Sequence, residues 1–581
     1  MKENFFNPNL MVPNNVSLRK ISDLTDSGRQ SNMVFKSIAY PSKIYYPHIQ
    51  KFIKKYTEEG AVVLDSFSGS GSTGIAAAIE NRKAVLIDDS PYANFIQENI
   101  FGEFDRKEIE VEYKKLLKNL EEIFDELYYV ESNDGHLGII QTIISSNIYK
   151  CRCCEIEVDL NNNETGKRSE YLCPNCKNVF NIAEQTTKDL KIDNRRPVEV
   201  ILKYKDIKSG KVVTEKRKVT DKDIKIWNKK LQLVKEKYPN LWEPSEKIVY
   251  NRSYPRVGGW PGFPIHSKVG ALFSERNLLA LKILNNYIET EIRSNSTKKF
   301  LKFVFTESLF RSSSRLFKTS GIKNVYHIPP IGKEQNVLVV FTRKYKTILK
   351  CNIFIDELMK SEQKLNVKSI KGNARKLEFD DNLFDYAFID PPYGGIVPYA
   401  ELNLFYSAWL DEKEDLENEV NIPMDYDKKA EWAEIWGNMI EEAFSEVYRV
   451  LKPGAYFTIV FQSKFDTIWN NLRDVMINRL GFEFVEFVGN ERGSTFHTNS
   501  LNDTNPLSAY ITYRKPTEIN EKLSLDADPF KYLDEKFAVN NYTFRRVQDE
   551  LINIVHKYNL RRLPSDKEIE IWIEKKRYDK K

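Results

Sequence analysis

Two stretches of the sequence place reactive side chains at the end of a predicted buried strand. The first is Asp390-Pro391-Pro392-Tyr393, which follows the apolar run 386–389. Proline lacks an N–H group and fixes φ, so the two prolines end the strand. A carboxylate, a carbonyl and an aromatic ring then project from the sheet edge at which open α/β sheets bind their ligands. This stretch therefore predicts a catalytic or ligand-binding edge.

The second stretch is a predicted β-α-β unit with a glycine-rich turn. Its first strand ends at Asp65, and Gly69, Gly71 and Gly74 follow in the spacing G-x-G-x-x-G. An Ala-rich helix then leads to a second strand that ends at Asp88, about twenty residues after the first glycine. Glycines let the backbone approach a ligand closely, and an acid at that place can accept the hydroxyls of a ribose. The unit therefore predicts a cofactor that contains adenosine.

The glycine spacing alone leaves open a dinucleotide, S-adenosylmethionine (AdoMet) and a turn without a ligand. Asp65 favours AdoMet, because a carboxylate just before the glycines would repel a pyrophosphate. The same carboxylate would attract the ammonium and sulfonium groups of AdoMet. An NAD enzyme would also have no use for the Asp-Pro-Pro-Tyr stretch.

Four of the six cysteines have the spacing of a metal site. Cys151 and Cys154 form one C-x2-C pair, and Cys173 and Cys176 form another after eighteen intervening residues. This spacing is typical of a structural zinc ion bound by four thiolates, with redox thiols and core cysteines as the alternatives. A closed site of this kind leaves no open position for catalysis, so we expect zinc to support folding or DNA binding. Cys153 is a spare thiol and an alternative ligand to Cys154.

The composition excludes some classes of protein. A chain of 581 residues is too long for one core, and roughly two to four domains are expected. No apolar run is long enough to span a membrane, and the first residues lack the apolar core of a signal peptide. The 88 basic residues are offset by 83 acidic ones, so local basic patches say more about nucleic acid than the net charge of +5.

Several basic and aromatic residues are candidates for nucleic-acid contacts. The segment 187–240 is lysine-rich, which suits phosphate contacts or a solvated surface. The loop 251–264 combines arginines with aromatic residues, and could enter a groove, fill the gap left by a flipped base, or pack as an ordinary loop. The individual candidates are Arg252, Arg256, Trp260, Arg311 and Arg315.

Taken together, these features resemble one family, the adenine-specific DNA methylases that contain a zinc ribbon. The resemblance covers most of 35–515 and leaves out the tail. It rests on Tyr40-Pro41, the loop 65–73, Asp88 with 90–93, the four cysteines, the segment 272–281, and the Asp-Pro-Pro-Tyr stretch with 397–402. The sequence departs from the family pattern in three ways: Ser66 replaces a proline, an extra Ser72 precedes Thr73, and Asn373 replaces an aspartate.

The resemblance implies a fold and a division of the chain. The fold is α/β, a class I AdoMet-dependent methyltransferase with a Rossmann-like, seven-stranded, mostly parallel sheet. The expected domains are 1–100 for the AdoMet-binding half, 101–365 for an inserted target-recognition region with a zinc ribbon at about 148–182, 366–515 for the catalytic half, and 516–581 for a helical tail.

The resemblance also implies the roles of individual residues. Asp390, Pro391, Pro392 and Tyr393 are expected to be catalytic, and structural zinc is expected at the four cysteines. The residues expected to bind AdoMet are Tyr40, Asp65, Ser66, Phe67, Gly69, Ser70, Gly71, Thr73, Asp88, Asn373 and Asp390.

The implied reaction is methylation of adenine N6 in double-stranded DNA by a cytoplasmic, nucleoid-associated enzyme. Cytosine N4 methylation, RNA methylation at adenine N6 or guanine N2, and a non-catalytic nucleic-acid-binding module are the alternatives. A restriction or defence-system subunit is a further expected partner, and no membrane is expected.

Overall fold

The apolar runs of the sequence form strands, and the ends of these strands place the candidate site. The computed structural model describes residues 5–7, 10, 12–13, 21, 24, 29, 31–41, 43–167, 169–182, 195–206, 209–248, 267–314, 328–393, 397–420, 429–463, 466–489, 507–518, 528–536, 544–557, 560 and 564–578. Two units divide the chain. The first contains 1–101, 354–400 and 415–581, and the second contains 102–353 and 401–414.

The strands, in chain order, are β1 (Val62–Asp65), β2 (Lys83–Asp88), β3 (Tyr129–Glu131), β4 (Leu137–Lys150), β5 (Glu157–Asp159), β6 (Glu170–Leu172), β7 (Val179–Asn181), β8 (Arg195–Lys205), β9 (Val212–Lys218), β10 (Ile331–Gln335), β11 (Val367–Lys371), β12 (Phe384–Ile389), β13 (Leu451–Ser463), β14 (Glu483–Gly489) and β15 (Leu507–Arg514).

The helices are α1 (Met33–Ser37), α2 (Tyr46–Tyr56), α3 (Ser72–Ile79), α4 (Pro91–Phe101), α5 (Arg106–Tyr128), α6 (Asp221–Lys237), α7 (Glu275–Glu291), α8 (Asn295–Ser312), α9 (Val337–Leu358), α10 (Ser361–Leu365), α11 (Tyr399–Ser407), α12 (Lys429–Val450), α13 (Asp466–Arg473), α14 (Pro529–Lys536), α15 (Phe544–Lys557) and α16 (Asp566–Tyr578). Short 3-10 turns cover Val269–Leu272 and Ala408–Leu410, and a π-helical turn covers Asp474–Arg479.

The first unit is built on a seven-stranded sheet with the order β11-β2-β1-β12-β13-β15-β14. The pairs from β11 to β13 are parallel, whereas β15 is antiparallel to both of its neighbours. Every residue of β1 is buried, as is typical of a central parallel strand covered on both faces. This sheet confirms the predicted seven-stranded, mostly parallel fold.

Helices cover both faces of this sheet. On one face, the aromatic rings of Phe52 and Tyr56 in α2 pack against Phe388, Tyr386 and neighbouring strand residues. On the other face, α12 and α13 join the tail helices in one large apolar cluster with the strands. The tail therefore packs as part of the first unit, where Leu551 and Val555 of α15 and Trp572 of α16 belong to its core.

The second unit combines an antiparallel sheet with long helices. Its sheet has the order β10-β4-β8-β9, with β3 and β5 also paired to β4, while β6 and β7 form a separate hairpin. Residues 401–414, which the sequence placed with the catalytic half, lie in this unit because Phe405 stacks on Phe273 and Trp409 packs against Phe305. Over the ranges given above, no helix is both long and apolar enough to cross a membrane.

Candidate active site

Four neighbouring strands bring polar side chains to one edge of the parallel sheet. In the order β11-β2-β1-β12, the residues at or just after the strand ends are Asn373, Asp88, Asp65 and Asp390. Because these strands are parallel, their carboxyl ends share an edge, which is where open α/β sheets bind ligands. The topology therefore brings together three carboxylates and one amide that are far apart in the sequence.

The glycine-rich loop after β1 is fixed by the acids on either side of it. Asp65 Oδ1 accepts a hydrogen bond from the Phe67 N–H group (3.1 Å), and Asp65 Oδ2 accepts one from the Thr73 hydroxyl (2.5 Å). Asp88 Oδ2 accepts a hydrogen bond from the Gly69 N–H group (2.7 Å). The two carboxylates therefore shape the loop through contacts within the protein.

Glycine is required in this loop for both conformation and space. Gly69 and Gly71 have φ angles of +46° and +81°, a region that L side chains rarely adopt. A Cβ atom on Gly69 would lie 2.8 Å from the ring of Tyr40, so this ring lies directly against the loop. Tyr40 also stacks on Tyr399, with 6.4 Å between the ring centroids. The structure thus places Tyr40 beside the loop, as a side chain over a ligand site would be.

The remaining predicted loop residues are largely enclosed. Ser66 and Ser70 are buried, and Phe67 is partly buried against the main apolar cluster. Within the described part of the chain, the Ser66 hydroxyl oxygen has no hydrogen-bond partner. A buried polar atom of this kind commonly has a ligand or water as its partner. Ser66 therefore offers an additional polar contact at the end of β1.

Burial and mutual repulsion raise the pKa values of the acids at this edge. Burial, opposed by the hydrogen bonds from Thr73 and Phe67 and reinforced by the charge of Asp390, raises the pKa of Asp65 to about 7. Burial and the charges of Asp89 and Asp65 raise the pKa of Asp88 to about 8. Carboxylates that disfavour one another's ionisation in a water-poor site favour a cationic ligand.

The Asp-Pro-Pro-Tyr stretch is packed at the end of β12. Pro391 and Pro392 are buried, and the Pro392 carbonyl accepts a hydrogen bond from the indole N–H of Trp436 (2.9 Å). The Tyr393 hydroxyl donates to Asp390 Oδ1, and the Tyr393 ring meets the Phe461 ring edge-on at 5.4 Å. The backbone of the stretch is therefore anchored, while the carboxylate and the phenol lie together at the edge.

Asn373 lies two residues beyond β11, and its side-chain oxygen accepts a hydrogen bond from the Arg375 N–H group (2.9 Å). An amide oxygen has two lone pairs, so this bond leaves capacity for a second donor. The N–H group of Gly372, just before Asn373, donates to the Asp88 carbonyl (3.0 Å). Asn373 is thereby held next to Asp88 at the site edge.

The sequence did not predict the role of Gln97, a polar residue on α4. The Gln97 side chain is fully buried and donates to the Ser68 hydroxyl (2.9 Å) and the Gly69 carbonyl (2.8 Å). Its oxygen accepts a hydrogen bond from the Ser369 hydroxyl on β11 (2.7 Å). Gln97 thus ties the glycine-rich loop to a neighbouring strand. The signal in the sequence was a polar residue four positions after Ala93 on the buried face of a helix.

The four cysteines predicted to bind metal are brought together in the second unit. All four sulfur atoms lie within 4.8 Å of one another, and Cys151–Cys176 and Cys154–Cys173 are each 3.6 Å apart. Zn–S bonds of about 2.3 Å in a tetrahedral site place sulfurs about 3.8 Å apart. The cluster therefore fits a four-thiolate metal centre, while Cys153 is exposed and lies outside it.

Each cysteine pair sits in a turn of similar backbone geometry. The N–H group of Glu155 donates to the Cys151 carbonyl (2.8 Å), and that of Lys177 donates to the Cys173 carbonyl (3.1 Å). Both Glu155 and Lys177 have left-handed φ angles, of 57° and 59°. Backbone N–H groups facing the sulfur lower the pKa of Cys151, and hydrogen bonds from the Asn175 side chain and the Ile156 backbone lower the pKa of Cys154 to about 6. Burial and the neighbouring thiols instead raise the pKa of Cys176. The first turn therefore favours thiolates, the form that binds metal.

Of the five residues predicted to contact DNA, the structure describes one. Arg311 is half-buried at the end of α8, and burial together with the Arg311 charge lowers the pKa of Lys333 and of Arg343. Arg311 therefore belongs to a local group of cations. Arg252, Arg256, Trp260 and Arg315 lie outside the described residues.

The sheet order and the polar edge fit a class I AdoMet-dependent methyltransferase fold. Residues 17–98 match the model of the N6 and N4 methyltransferase family, described as DNA methylase. This match and the fold support a DNA methyltransferase, and the family includes both N6 and N4 enzymes. A search of curated proteins found no match to the chain.

Solved structures of low similarity were also found. A Thermus thermophilus protein assigned as a DNA modification methylase shares 14% identity over 26% of this chain and 54% of its own, with a TM-score of 0.17. A SAM-dependent methyltransferase from Methanosarcina mazei shares 17% identity over 26% of this chain and 68% of its own (TM-score 0.15). The cyclase SpnF shares 14% identity over 27% and 60% (TM-score 0.15). The chain thus spans about half the length of the first of these proteins.

Proposed function

We propose that this protein transfers a methyl group from AdoMet to N6 of adenine in double-stranded DNA. The observation that carries the proposal is the alignment of Asp65, Asp88 and Asp390 at one sheet edge, with Tyr393 in contact with Asp390. Asp65 and Asp88 belong to a pattern expected for an adenosine cofactor, and Asp390 begins a stretch expected to hold an amine. One edge thus offers sites for both reactants.

The residues of the loop fit AdoMet better than a dinucleotide. Asp65 is buried beside Asp390 and Asp88, and this excess of negative charge favours a ligand with ammonium and sulfonium groups. Asp88 would accept the ribose hydroxyls, and Asn373 would accept the adenine amino group. AdoMet would supply an electrophilic methyl group at this edge.

The role proposed for Asp390 is to prepare the amine for attack. The exocyclic amine of adenine is conjugated with its ring and is a poor nucleophile. Accepting its hydrogens at the Asp390 carboxylate and the Pro391 carbonyl would localise the lone pair on nitrogen. Tyr393 would stack on the flipped base, a contact worth about 1–3 kcal/mol. Because no covalent intermediate is needed, orientation and electrostatics would supply most of the rate.

Adenine is preferred over cytosine because the stretch begins with aspartate, whereas cytosine N4 enzymes more often have serine there. The four-cysteine module is proposed to hold one structural zinc ion and to belong to the target-recognition region, as it does in the family that the sequence resembles. The restriction or defence-system partner and the cytoplasmic, nucleoid-associated location also remain part of this proposal.

The test is methylation of unmethylated duplex DNA by the purified full-length chain, followed by mass spectrometry of the nucleosides. N6-methyladenine is expected, and Asp390→Ala should abolish it. N4-methylcytosine would overturn the choice of base, and methylated RNA without methylated DNA would overturn the substrate. Long-read sequencing of DNA from expressing cells would then give the recognition sequence and strand.

A further inference from the structure

One side of the antiparallel sheet in the second unit carries a row of exposed lysines. Residues paired across neighbouring strands point to the same side of a sheet, and side chains alternate along each strand. Ile201 pairs with Lys216, and Lys203 pairs with Thr214, so alternate residues of β8 and β9 share this side. Its exposed lysines, called here the lysine face, are Lys203, Lys205, Lys216 and Lys218.

The opposite side of β8 is apolar and packed. Val200, Leu202 and Tyr204 alternate with the lysines of β8 and are buried. The core therefore fixes which residues of β8 face outward, including Lys203 and Lys205. The pairing of β9 with β8 then places Lys216 and Lys218 on the same side.

The charges on this face are poorly balanced. Across 199–205 and 212–218, the positions on this side hold four lysines and a single acid, Glu199. Glu199 pairs with Lys216 at 3.1 Å. For Lys203, Lys205 and Lys218, the described parts of the chain provide no ion-pair partner within 4.0 Å. The charge of Lys218 acts on Asp159 from a greater distance, and burial still raises the pKa of that acid.

Several neighbouring cations outside this face are paired. Arg217, on the other side of β9, binds Asp223 at 2.7 Å. Lys222, Lys235 and Lys237 of α6 each contact a glutamate at 2.9 Å. Three of the four lysines on the lysine face have no such partner among the described residues, and only Lys216 is paired.

The same side of the sheet continues into the four-cysteine module. Ile144 of β4 pairs with Glu199, so it lies on the side of the lysine face. Ile144 packs in one apolar cluster with Leu160 and Ile182 of the module. The module and the lysine face are therefore adjacent parts of one surface within the second unit.

We propose that the lysine face binds the phosphate backbone of double-stranded DNA. The charge of the face is complementary to a polyanion, and flexible lysines on a strand suit contacts that position a protein without reading bases. This inference rests on the proposed function, because it identifies where the DNA substrate would be held. In this proposal Lys203, Lys205 and Lys218 contact DNA phosphates, and these contacts do not depend on the base sequence.

The experiment compares two triple variants that remove the same charge. The test variant is Lys203→Gln/Lys205→Gln/Lys218→Gln, and the control is Lys222→Gln/Lys235→Gln/Lys237→Gln, which removes three ion-paired lysines. Fluorescence anisotropy would measure the binding of a labelled DNA duplex over a series of salt concentrations. Thermal unfolding and AdoMet binding would show that both variants are folded.

The test variant is expected to reduce the slope of log affinity against log salt concentration by about 0.9 for each phosphate that is no longer bound, so by about 2 to 3. Its affinity at physiological salt should fall by at least about tenfold, whereas the control should keep nearly the wild-type slope. The charge-retaining variant Lys203→Arg/Lys205→Arg/Lys218→Arg should keep the slope as well. Equal slopes for wild type, test and control would overturn the proposal.

Failure of this proposal can be told apart from failure of the proposed function. If the wild type methylates DNA and the test variant keeps the full salt slope, the lysine face is not the DNA surface and the activity stands. If the wild type binds DNA through these lysines but methylates no nucleic acid, the surface stands and the activity does not. Each variant therefore bears on one proposal at a time.

Discussion

The acidic sheet edge and the four-cysteine cluster are both prepared for a positively charged group, but they are stabilised differently. The edge belongs to a unit with a large apolar core, and hydrogen bonds from Thr73 and Gly69 hold its acids in place. Among the described residues, the cysteines lie in a small cluster in which Val158 and two of the thiols are buried, and Ile156 and Phe180 pack against them. We therefore expect the acids to keep their geometry without a ligand, and the cysteines to need a bound metal to keep theirs.

The difference matters for function. A ligand that binds reversibly needs a site that keeps its geometry while the site is empty. The raised pKa values of Asp65 and Asp88 indicate that it is unfavourable to hold these carboxylates charged and close together in the empty site. A structural ion is bound once, and its binding free energy becomes folding free energy. The comparison therefore predicts that a substitution that abolishes binding at one site leaves binding at the other site unchanged.

Metal removal should have the largest effect, and it should be confined to the second unit. We expect one zinc ion per chain by elemental analysis, and structural zinc sites contribute about 10–16 kcal/mol in small zinc domains. Cys154→Ser should lose the metal and weaken DNA binding while AdoMet binding persists. Cys153→Ser is the matched control, because Cys153 is exposed and outside the cluster.

A protein that contains no zinc after purification without chelator would contradict this expectation. Loss of AdoMet binding in Cys154→Ser, with the metal gone, would break the comparison itself, because it would mean that the first unit depends on the metal. Equal metal loss in Cys153→Ser would shift the ligand assignment to the spare thiol.

Asp390→Ala should have the next largest effect, this time on chemistry alone. Removing a group that acts on the reacting amine is expected to lower kcat by about 10²–10³-fold or more, as for other preorganised electrostatic groups. AdoMet binding should be retained, because Asp65 and Asp88 remain at the edge. Single-turnover kinetics and calorimetry would measure the two effects. Substantial methyl transfer by Asp390→Ala would refute the role of this carboxylate.

Tyr393→Ala should lower activity by loss of stacking, a contact worth about 1–3 kcal/mol. Tyr393→Phe separates the ring from the hydroxyl, which donates to Asp390 in the structure. If stacking is the main role, Tyr393→Phe keeps most activity and both variants bind AdoMet. Wild-type turnover in Tyr393→Ala would rule out the stacking role, and equal loss in both variants would assign the role to the hydroxyl.

The parts of the site that were predictable from the sequence are those set by local pattern. Asp65, Asp88 and Asp390 each follow an apolar run that glycine or proline interrupts, and such runs end at the ligand edge of a parallel sheet. The cysteine pairs are likewise marked by spacing alone. The structure brings the three acids to one sheet edge and the four cysteine sulfurs within 4.8 Å of one another.

What the sequence could not provide depends on contacts between distant segments. Gln97 meets Ser369 across more than 270 residues, and Trp436 reaches the Pro392 carbonyl across 44. Residues 401–414 seemed to belong to the sheet unit, yet Phe405 and Trp409 pack with the second unit. Polar or aromatic residues on a buried helix face signal such contacts, but only the fold identifies the partner.

A smaller effect is expected from pH, and its direction follows from the raised pKa values. Below about pH 7 the Asp65 and Asp88 carboxyls hold protons that a cationic ligand must displace. AdoMet affinity should therefore rise with pH towards about 8, by up to roughly tenfold per unit for each group. The folded protein also holds protons that the unfolded chain releases above about pH 4, so the contribution of these groups to stability falls as pH rises from there to about 8.

Calorimetry in buffers of different ionisation enthalpy would measure the release of protons on AdoMet binding. Asp65→Asn should reduce the pH dependence, because one of the two titrating groups is removed. Affinity that is flat between about pH 6 and about pH 8 would mean that both carboxyls are already ionised in the empty site.

The smallest effect is expected at Gln97. A substitution there tests whether the site is organised before its ligand binds. Gln97→Ala removes three hydrogen bonds that join the glycine-rich loop to α4 and β11. At about 1 kcal/mol net for a typical bond, we expect AdoMet affinity to fall several-fold, with KM raised and kcat little changed. Asn99→Ala is the matched control, because Asn99 lies on the same helix and its one side-chain hydrogen bond to a described residue goes to the Phe95 carbonyl (2.8 Å). If both variants lower the melting temperature equally but only Gln97→Ala raises KM, Gln97 positions the loop. Equal KM values in the two variants would show that the loop keeps its shape through Asp65 and Asp88 alone.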